Sequence, residues 1–323
     1  MPSVTLVESA KLAQDSLIAG VIENIITVNR MYEVLPFMPI SGNALAYNRE
    51  NVLGPVATVG VGDTDGSIGS GASSGDNQTE RQAAKNAATF TQITSSLTKI
   101  MGDAEVDGLI QATRSSDGSD QTAVQIASKA KSAGRKYQDL FINGDGTDYE
   151  FPGLIALCAA GQKVATGNNG GALSFAFLDE LLDLVVDKDG QVDYIAMHAR
   201  TIRSYMSLLR GLGGASIGDT VTLPSGAQVP AYRGVPMFRN DYIPITQAKG
   251  TGTNQTTVFG GTFDDGSSRV GISGLTAENA SGIMVEDVGI SETKDERIWR
   301  VKWYCGLANF SEKGLACADG ITN

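Results

Sequence analysis

The sequence predicts an α+β chain that combines a long helix and an extended loop with a closing β-ribbon. Three stretches carry that expectation. Between Gly282 and Ile321 the apolar residues alternate, with Trp299, Val301, Trp303, Cys305 and Leu307 on one face and Arg300 and Lys302 on the other. That is the period of a strand with one dry side. From Ser119 to Phe141, Ala123, Ile126, Ala127, Ala130, Ala133, Tyr137, Leu140 and Phe141 recur at the helical period, and Asn143-Gly144 supplies the stop. Between residues 42 and 100, the tract VGVGDTDGSIGSGASSGDNQ has no hydrophobic period and is flanked by two extended runs, NALAYNRE and TFTQITSSLTKI.

The elements follow in order. Thr5 and Glu8 have capping-box spacing and can start a helix. Leu17, Ile18, Val21, Ile22, Ile25 and Ile26 then form an apolar stripe that ends before Pro36. Such a helix packs on its own domain or lies as an arm on a neighbouring subunit; the period fits both. In the 42–100 region the second strand is rich in Thr and Ser on both faces. A strand of that kind is weakly tied to its own core and suits a partner's edge. The region reads as a long hairpin-like projection, with a linker between two strands as the plainer alternative.

The helix at 119–141 carries four alanines on its apolar face, which lets another layer approach closely. Its remaining surface holds Lys129, Lys131, Arg135 and Lys136, expected to be solvated or salt-bridged because no aromatics interleave them. Beyond Tyr149 the texture becomes compact α/β. Ser174 precedes the helical run FAFLDELLDLVV, VDYIAM reads as a buried strand, and RTIRSYMSLLRGLGG as a helix closed by glycines. Turn-rich strands continue through Gly260. Val285, Val288 and Ile290 then open a hairpin whose second strand is the alternating run, followed by a tail of small residues.

Composition narrows the function. The chain has 323 residues, 39 of them glycine, and only 19% are charged. So little charge leaves much surface suited to contacts between subunits. A net charge of −11 argues against a protein that wraps nucleic acid, which needs clustered Lys and Arg. The acidity either keeps the chain soluble or repels enclosed DNA. Cys158, Cys305 and Cys317 are odd in number and form no CxxC pair, so neither a disulfide framework nor a zinc site is expected, and Cys305 reads as a core thiol. The first residues lack the basic and apolar regions of a signal peptide, and no run approaches the ~18 apolar residues of a membrane span. The chain is expected to have no membrane partner and to be made in a cytoplasm.

Catalytic chemistry is nearly absent from the pattern. GxSxG occurs at Gly71–Gly75 and Gly214–Gly218, yet neither match has the strand before and helix after that a nucleophile elbow requires. His198 is the single histidine. The acidic stretch Asp187–Asp193 has its glycine at position four, where a calcium loop needs it at six. The glycines at 60, 62 and 66 open no helix, so a dinucleotide site is not expected. The expectation is a protein that is not an enzyme and carries no cofactor or metal.

Several segments, in order, resemble one family. SLIAGVIENIITVNRMYEVLPFMPISGNALAYNRE is similar to an N-terminal arm leading into an extended loop. AGRKYQDLFINGD resembles the end of a spine helix with an Asn-Gly-Asp exit. RGVPMFRNDYIP resembles a Gly-Val-Pro strand and loop, and VFGGTFDDGSSRVGISGL with the final ribbon completes the series. Together they resemble the major capsid proteins of tailed bacteriophages with the Hong Kong 97-type shell fold.

The resemblance implies an N-terminal arm at 1–41 and an extended loop at 42–100. It implies a peripheral domain at 101–147 and 273–308 with spine helix 119–141, and an axial domain at 148–272 and 309–323. It further implies self-assembly as hexamers and pentamers into an icosahedral virion shell, built in a bacterial cytoplasm around double-stranded DNA without sequence-specific binding. Portal, separate scaffolding and decoration proteins are the implied partners. Contact candidates are Leu17, Val21 and Ile25 on the arm and Tyr47, Arg49, Phe90 and Ile93 on the loop. Lys85, Lys99 and Asn309 are present, but no motif assigns them to a covalent crosslink between subunits. The alternative on the same fold is an encapsulin-like nanocompartment shell that packages a cargo enzyme.

Overall fold

The computed structural model describes residues 29–54, 87–114, 121–186, 191–211, 219–266 and 270–322. The arm residues Leu17, Val21 and Ile25, both GxSxG matches and positions 187–190 lie outside them. After a helical turn at Met31–Val34, the strands are β1 (Phe37–Ile40), β2 (Ala44–Val52), β3 (Thr89–Ser96), β4 (Thr98–Asp107), β5 (Gly171–Ala172), β6 (Tyr194–Met197), β7 (Thr220–Thr222) and β8 (Gln228–Tyr232). They continue as β9 (Val235–Arg239), β10 (Gln247–Lys249), β11 (Gly252–Gly261), β12 (Ile272–Ala277), β13 (Met284–Ile290), β14 (Glu296–Asn309) and β15 (Leu315–Thr322). The longer helices are α1 (Gly108–Arg114), α2 (Gln121–Asn143), α3 (Phe175–Val186) and α4 (Ala199–Gly211). The chain forms two units. The described part of one takes residues 100–136 and 283–303, and that of the other 29–99, 137–282 and 304–322.

In the first unit β13 and β14 form the expected hairpin, paired antiparallel from Met284↔Lys302 to Ile290↔Arg297 with a bulge at Val288. β4 also pairs with β14, and β13 ends its sheet. Asp107 starts α1 by accepting from the backbone N–H of Leu109 and Ile110 at 2.9 and 3.3 Å. The dry face departs from expectation. Val301 is buried, but Trp299 is only half-buried, and Val285, Val288 and Ile290 are 47%, 48% and 74% exposed. These side chains stand exposed on the end strand of their sheet.

The long helix runs two residues beyond its expected end, to Asn143. Its apolar face is unevenly covered: Ala123 and Ala127 are exposed, whereas Ala133, Tyr137, Leu140 and Phe141 are buried. In the second unit Tyr137 packs against Tyr32, Phe37 and Phe151 with ring centroids 5.6–6.1 Å apart. Gly144 ends the helix because no side chain fits there: a Cβ would stand 2.2 Å from the Phe151 carbonyl oxygen and 2.7 Å from that of Leu140.

The rest of this unit is built on an eight-stranded sheet ordered β5-β15-β11-β6-β9-β8-β7, with β10 on β11. β6, expected as a buried strand, is buried at all four residues and lies antiparallel to β11 and parallel to β9. The α3 helix starts at Ser174, whose hydroxyl accepts from Phe177 N–H at 3.2 Å. It lays Leu178, Leu181, Leu182 and Val185 into a core with Ile195, Met197, Val258 and Ala316. A Cβ at position 260 would lie 3.2 Å from Leu181 Cγ, so glycine there keeps helix and sheet close. The tail of small residues is β15, a nearly fully buried strand paired antiparallel with β11. Beside this sheet, β12 pairs antiparallel with Cys305–Asn309 of β14 and parallel with β1.

Candidate assembly surfaces

The loop candidates lie on a two-stranded ribbon. β2 and β3 pair antiparallel from Ala44↔Ser96 to Glu50↔Phe90, and a bulge precedes Val52↔Thr89. Alternation gives the ribbon two unlike faces. Leu45, Tyr47 and Arg49 share one with Ser95, Ile93 and Thr91; Ala46, Asn48 and Glu50 share the other with Thr94, Gln92 and Phe90. The first face turns to the chain's own body. The Tyr47 hydroxyl donates to the Asn309 carbonyl at 2.8 Å, and its ring meets Phe310 edge-on at 5.1 Å. Arg49 donates from Nε to the Phe310 carbonyl at 3.0 Å and from Nη2 to the Asn309 carbonyl at 2.8 Å, and pairs with Glu312.

The structure therefore divides the four loop candidates. Tyr47 and Arg49 seat the ribbon within its own subunit, with Ile93 half-buried opposite Tyr47. Phe90 lies on the other face and is 66% exposed, next to Thr89, which pairs with the exposed Val52. The alternating pattern of β2 was readable in the sequence. Which face would be covered was not, because the covering residues Asn309 and Phe310 lie about 260 positions away.

The second surface was not singled out from the sequence. It is the exposed apolar row Val285, Val288 and Ile290 on β13. Around it the hairpin is held by ion pairs of Arg297 with Asp287 and Lys302 with Glu286, while Arg300 makes a fork with Asp103 at 2.8 and 2.9 Å. Hydrogen bonding from these cations holds the Asp103, Glu286 and Asp287 carboxyls below their ordinary values. A carboxylate with a lowered value in the folded state adds stability above its unfolded value, lost as pH falls through the folded one. The hairpin is thus expected to loosen as pH drops below the ordinary values of 4.5 for Glu286 and 3.8 for Asp287. Amide exchange in β13 should accelerate between pH 5 and 3 beyond its intrinsic pH dependence; equal protection at both would contradict this.

His198, the catalytic candidate by residue type, serves as a helix cap. Its Nδ1 accepts from Arg200 N–H at 3.0 Å at the start of α4, and its Nε2 lies 3.9 Å from Asp241. Burial lowers its proton affinity, with Asp241 opposing. Among the described residues no group of three or more His, Cys, Asp or Glu could hold a metal.

No curated protein sequence matches this chain. Residues 135–321 match the family described as type 2A encapsulin shell protein SrpI-like. Among solved structures, the holo-SrpI encapsulin complex of Synechococcus elongatus is 20% identical with a TM-score of 0.71, covering 99% of this chain and 96% of the other. The capsid of cyanophage A-1(L) is 12% identical with a TM-score of 0.69 over 99% and 100%. A structure from Mycobacterium phage Adephagia is 11% identical with a TM-score of 0.64 over 100% of this chain and 99% of the other. The fold is accordingly the mixed α+β Hong Kong 97-type capsid fold that the sequence predicted. The protein is a shell-forming subunit of that fold, and it belongs to the SrpI-like family of type 2A encapsulin shell proteins.

Proposed function

We propose that the chain is the shell subunit of an encapsulin-type nanocompartment that encloses a protein cargo. The observation that carries this reading is the family match over residues 135–321. That segment takes in the end of the long helix, the whole eight-stranded sheet and the closing ribbon. The subunit acts as a structural part, its partners being copies of itself in hexamers and pentamers and the cargo held inside. In this reading the unit with the β13–β14 hairpin belongs to the peripheral domain and the eight-stranded sheet to the axial domain. Phe90 and the arm residues Leu17, Val21 and Ile25 meet neighbouring subunits, while Tyr47 and Arg49 hold the loop in position for that contact.

The second reading is a tailed-phage major capsid protein in a virion, with DNA inside and portal, scaffolding and decoration proteins as partners. The full-length likeness to the cyanophage A-1(L) capsid supports it. Particles purified from the native host and treated with nuclease separate the two. The encapsulin reading expects closed shells with a second protein at fixed stoichiometry and no protected nucleic acid. Shells that protect double-stranded DNA would replace it with the phage reading.

A further inference from the structure

The eight-stranded sheet has a second face, away from the core packed under α3. Val258 of β11 and Ala316 and Ala318 of β15 enter that core. Alternation sends the residues between them the other way. There Gln255, Thr257 and Phe259 of β11 and Asp319 of β15 line a cavity of about 290 Å³. Lys249 of β10 and the preceding segment, through Ile155 and Lys163, complete its wall. All of these residues belong to the second unit.

The cavity wall is polar although much of it is buried. Gln255 is fully buried and Thr257 nearly so. The Thr257 hydroxyl donates to Gln247 Oε1 at 2.7 Å. Gln255 donates from Nε2 to the Asn169 carbonyl, whereas its Oε1 has no hydrogen-bond partner within the chain. Glycine at 170 and 252 makes room for this amide, since a Cβ at either would collide with Nε2. A buried acceptor left unpaired is costly, and it marks a place for a donor from outside the chain. At ~30 Å³ per water the cavity has room for about ten, far more than one bridging water needs.

The lining also carries surplus positive charge. Lys249 donates to Thr166 Oγ1 at 2.8 Å, pairs with the Asp319 carboxylate and reaches the Asp319 carbonyl at 3.4 Å, which engages its three donors. Lys163 lies 4.0 Å from the same carboxylate, beyond hydrogen-bond distance, and keeps donors for a ligand. Two ammonium groups thus meet one carboxylate, in a chain whose net charge is −11. Ile155 and Phe259 add an apolar patch.

We propose that this cavity binds a small organic carboxylate that carries a hydroxyl or amino donor beside its acid group. The acid takes the Lys163 donors, and the hydroxyl or amine gives Gln255 Oε1 its partner. A short apolar tail rests on Ile155 and Phe259. Lys249 neutralises Asp319, so that the carboxylate in the wall does not repel the one that enters. Such a site goes beyond enclosing a cargo, because it lets each subunit bind a small metabolite by itself.

The test follows lactate binding to the full chain by ligand-observed NMR at constant ionic strength. Saturable binding is expected. Propionate, which lacks the hydroxyl, and lactamide, which lacks the charge, should each bind about tenfold more weakly. Lys163→Met should weaken lactate binding about tenfold in a chain that circular dichroism shows to be folded. Gln255→Leu should make lactate and propionate bind alike. Lactate binding that does not saturate, equal affinity for lactate and propionate in the natural chain, or unchanged affinity in Lys163→Met would each overturn the proposal. Should Gln255→Leu fail to fold, lactate against propionate on the natural chain decides the role of its Oε1.

Discussion

Placing Asp at both Val288 and Ile290 is expected to stop shell assembly and leave a folded subunit. Both side chains are exposed in the single chain, at 48% and 74%, so the change costs the subunit little. In a shell they would be covered. Burying an aliphatic side chain of this size contributes about 1.5–3 kcal/mol, and putting a carboxylate there adds a desolvation cost. A loss of about 4 kcal/mol per contact weakens it on the order of a thousandfold, and a closed shell repeats the loss at every subunit. Sedimentation velocity should show monomers or small oligomers with a circular dichroism spectrum like that of the natural protein. Particles of normal size and yield would remove β13 from the assembly contacts.

Arg49→Ala is expected to free the β2–β3 ribbon from its seat. The guanidinium serves two backbone carbonyls and one carboxylate, and its side chain is only 14% exposed. Hydrogen bonds from a charged donor contribute about 1.5–3 kcal/mol each, and the carbonyls of Asn309 and Phe310 would lose their partner. The loss should be about 3 kcal/mol at the base of the ribbon. Arg49→Lys should recover little of it, because an ammonium cannot reproduce the fork. Tyr47→Phe, which removes one neutral hydrogen bond and keeps the ring on Phe310, should cost about 1 kcal/mol. Limited proteolysis would read the effect as faster cleavage between residues 44 and 96. Unchanged cleavage would mean that pairing between the two strands alone holds the ribbon in place.

The elements with strong local periods were legible before the structure. Helix α2, the buried strand β6 and the closing hairpin appear where apolar spacing and turn residues put them, whereas the run TFTQITSSLTKI, read as one strand, is divided after Ser96 into β3, which pairs with β2, and the start of β4, which pairs with β14. The least legible element was β15. Its residues Leu315–Thr322 include alanines, a cysteine and a glycine, with no alternation to mark a strand. It pairs with β11 and, at Ile321 and Thr322, with β5; six of its eight residues are buried, and a strand covered on both faces shows no period of two. Its exchange of hydrogen bonds with β11 is a property of the sheet that no window of neighbouring residues contains.

The surfaces divide in the same way. Alternation along β2 announced two faces, and the poverty of charge announced a chain that shares its surface. Which face of β2 turned inward depended on Asn309, Phe310 and Glu312, brought there by the folding of β14. The hairpin residues Val285, Val288 and Ile290 read as one more buried row, and the structure leaves them exposed at the last strand of their sheet. Local chemistry sets periods, caps and stops because those are decided among residues a few positions apart. Coverage of a face is decided by distant segments, whose approach depends on the packing of whole sheets.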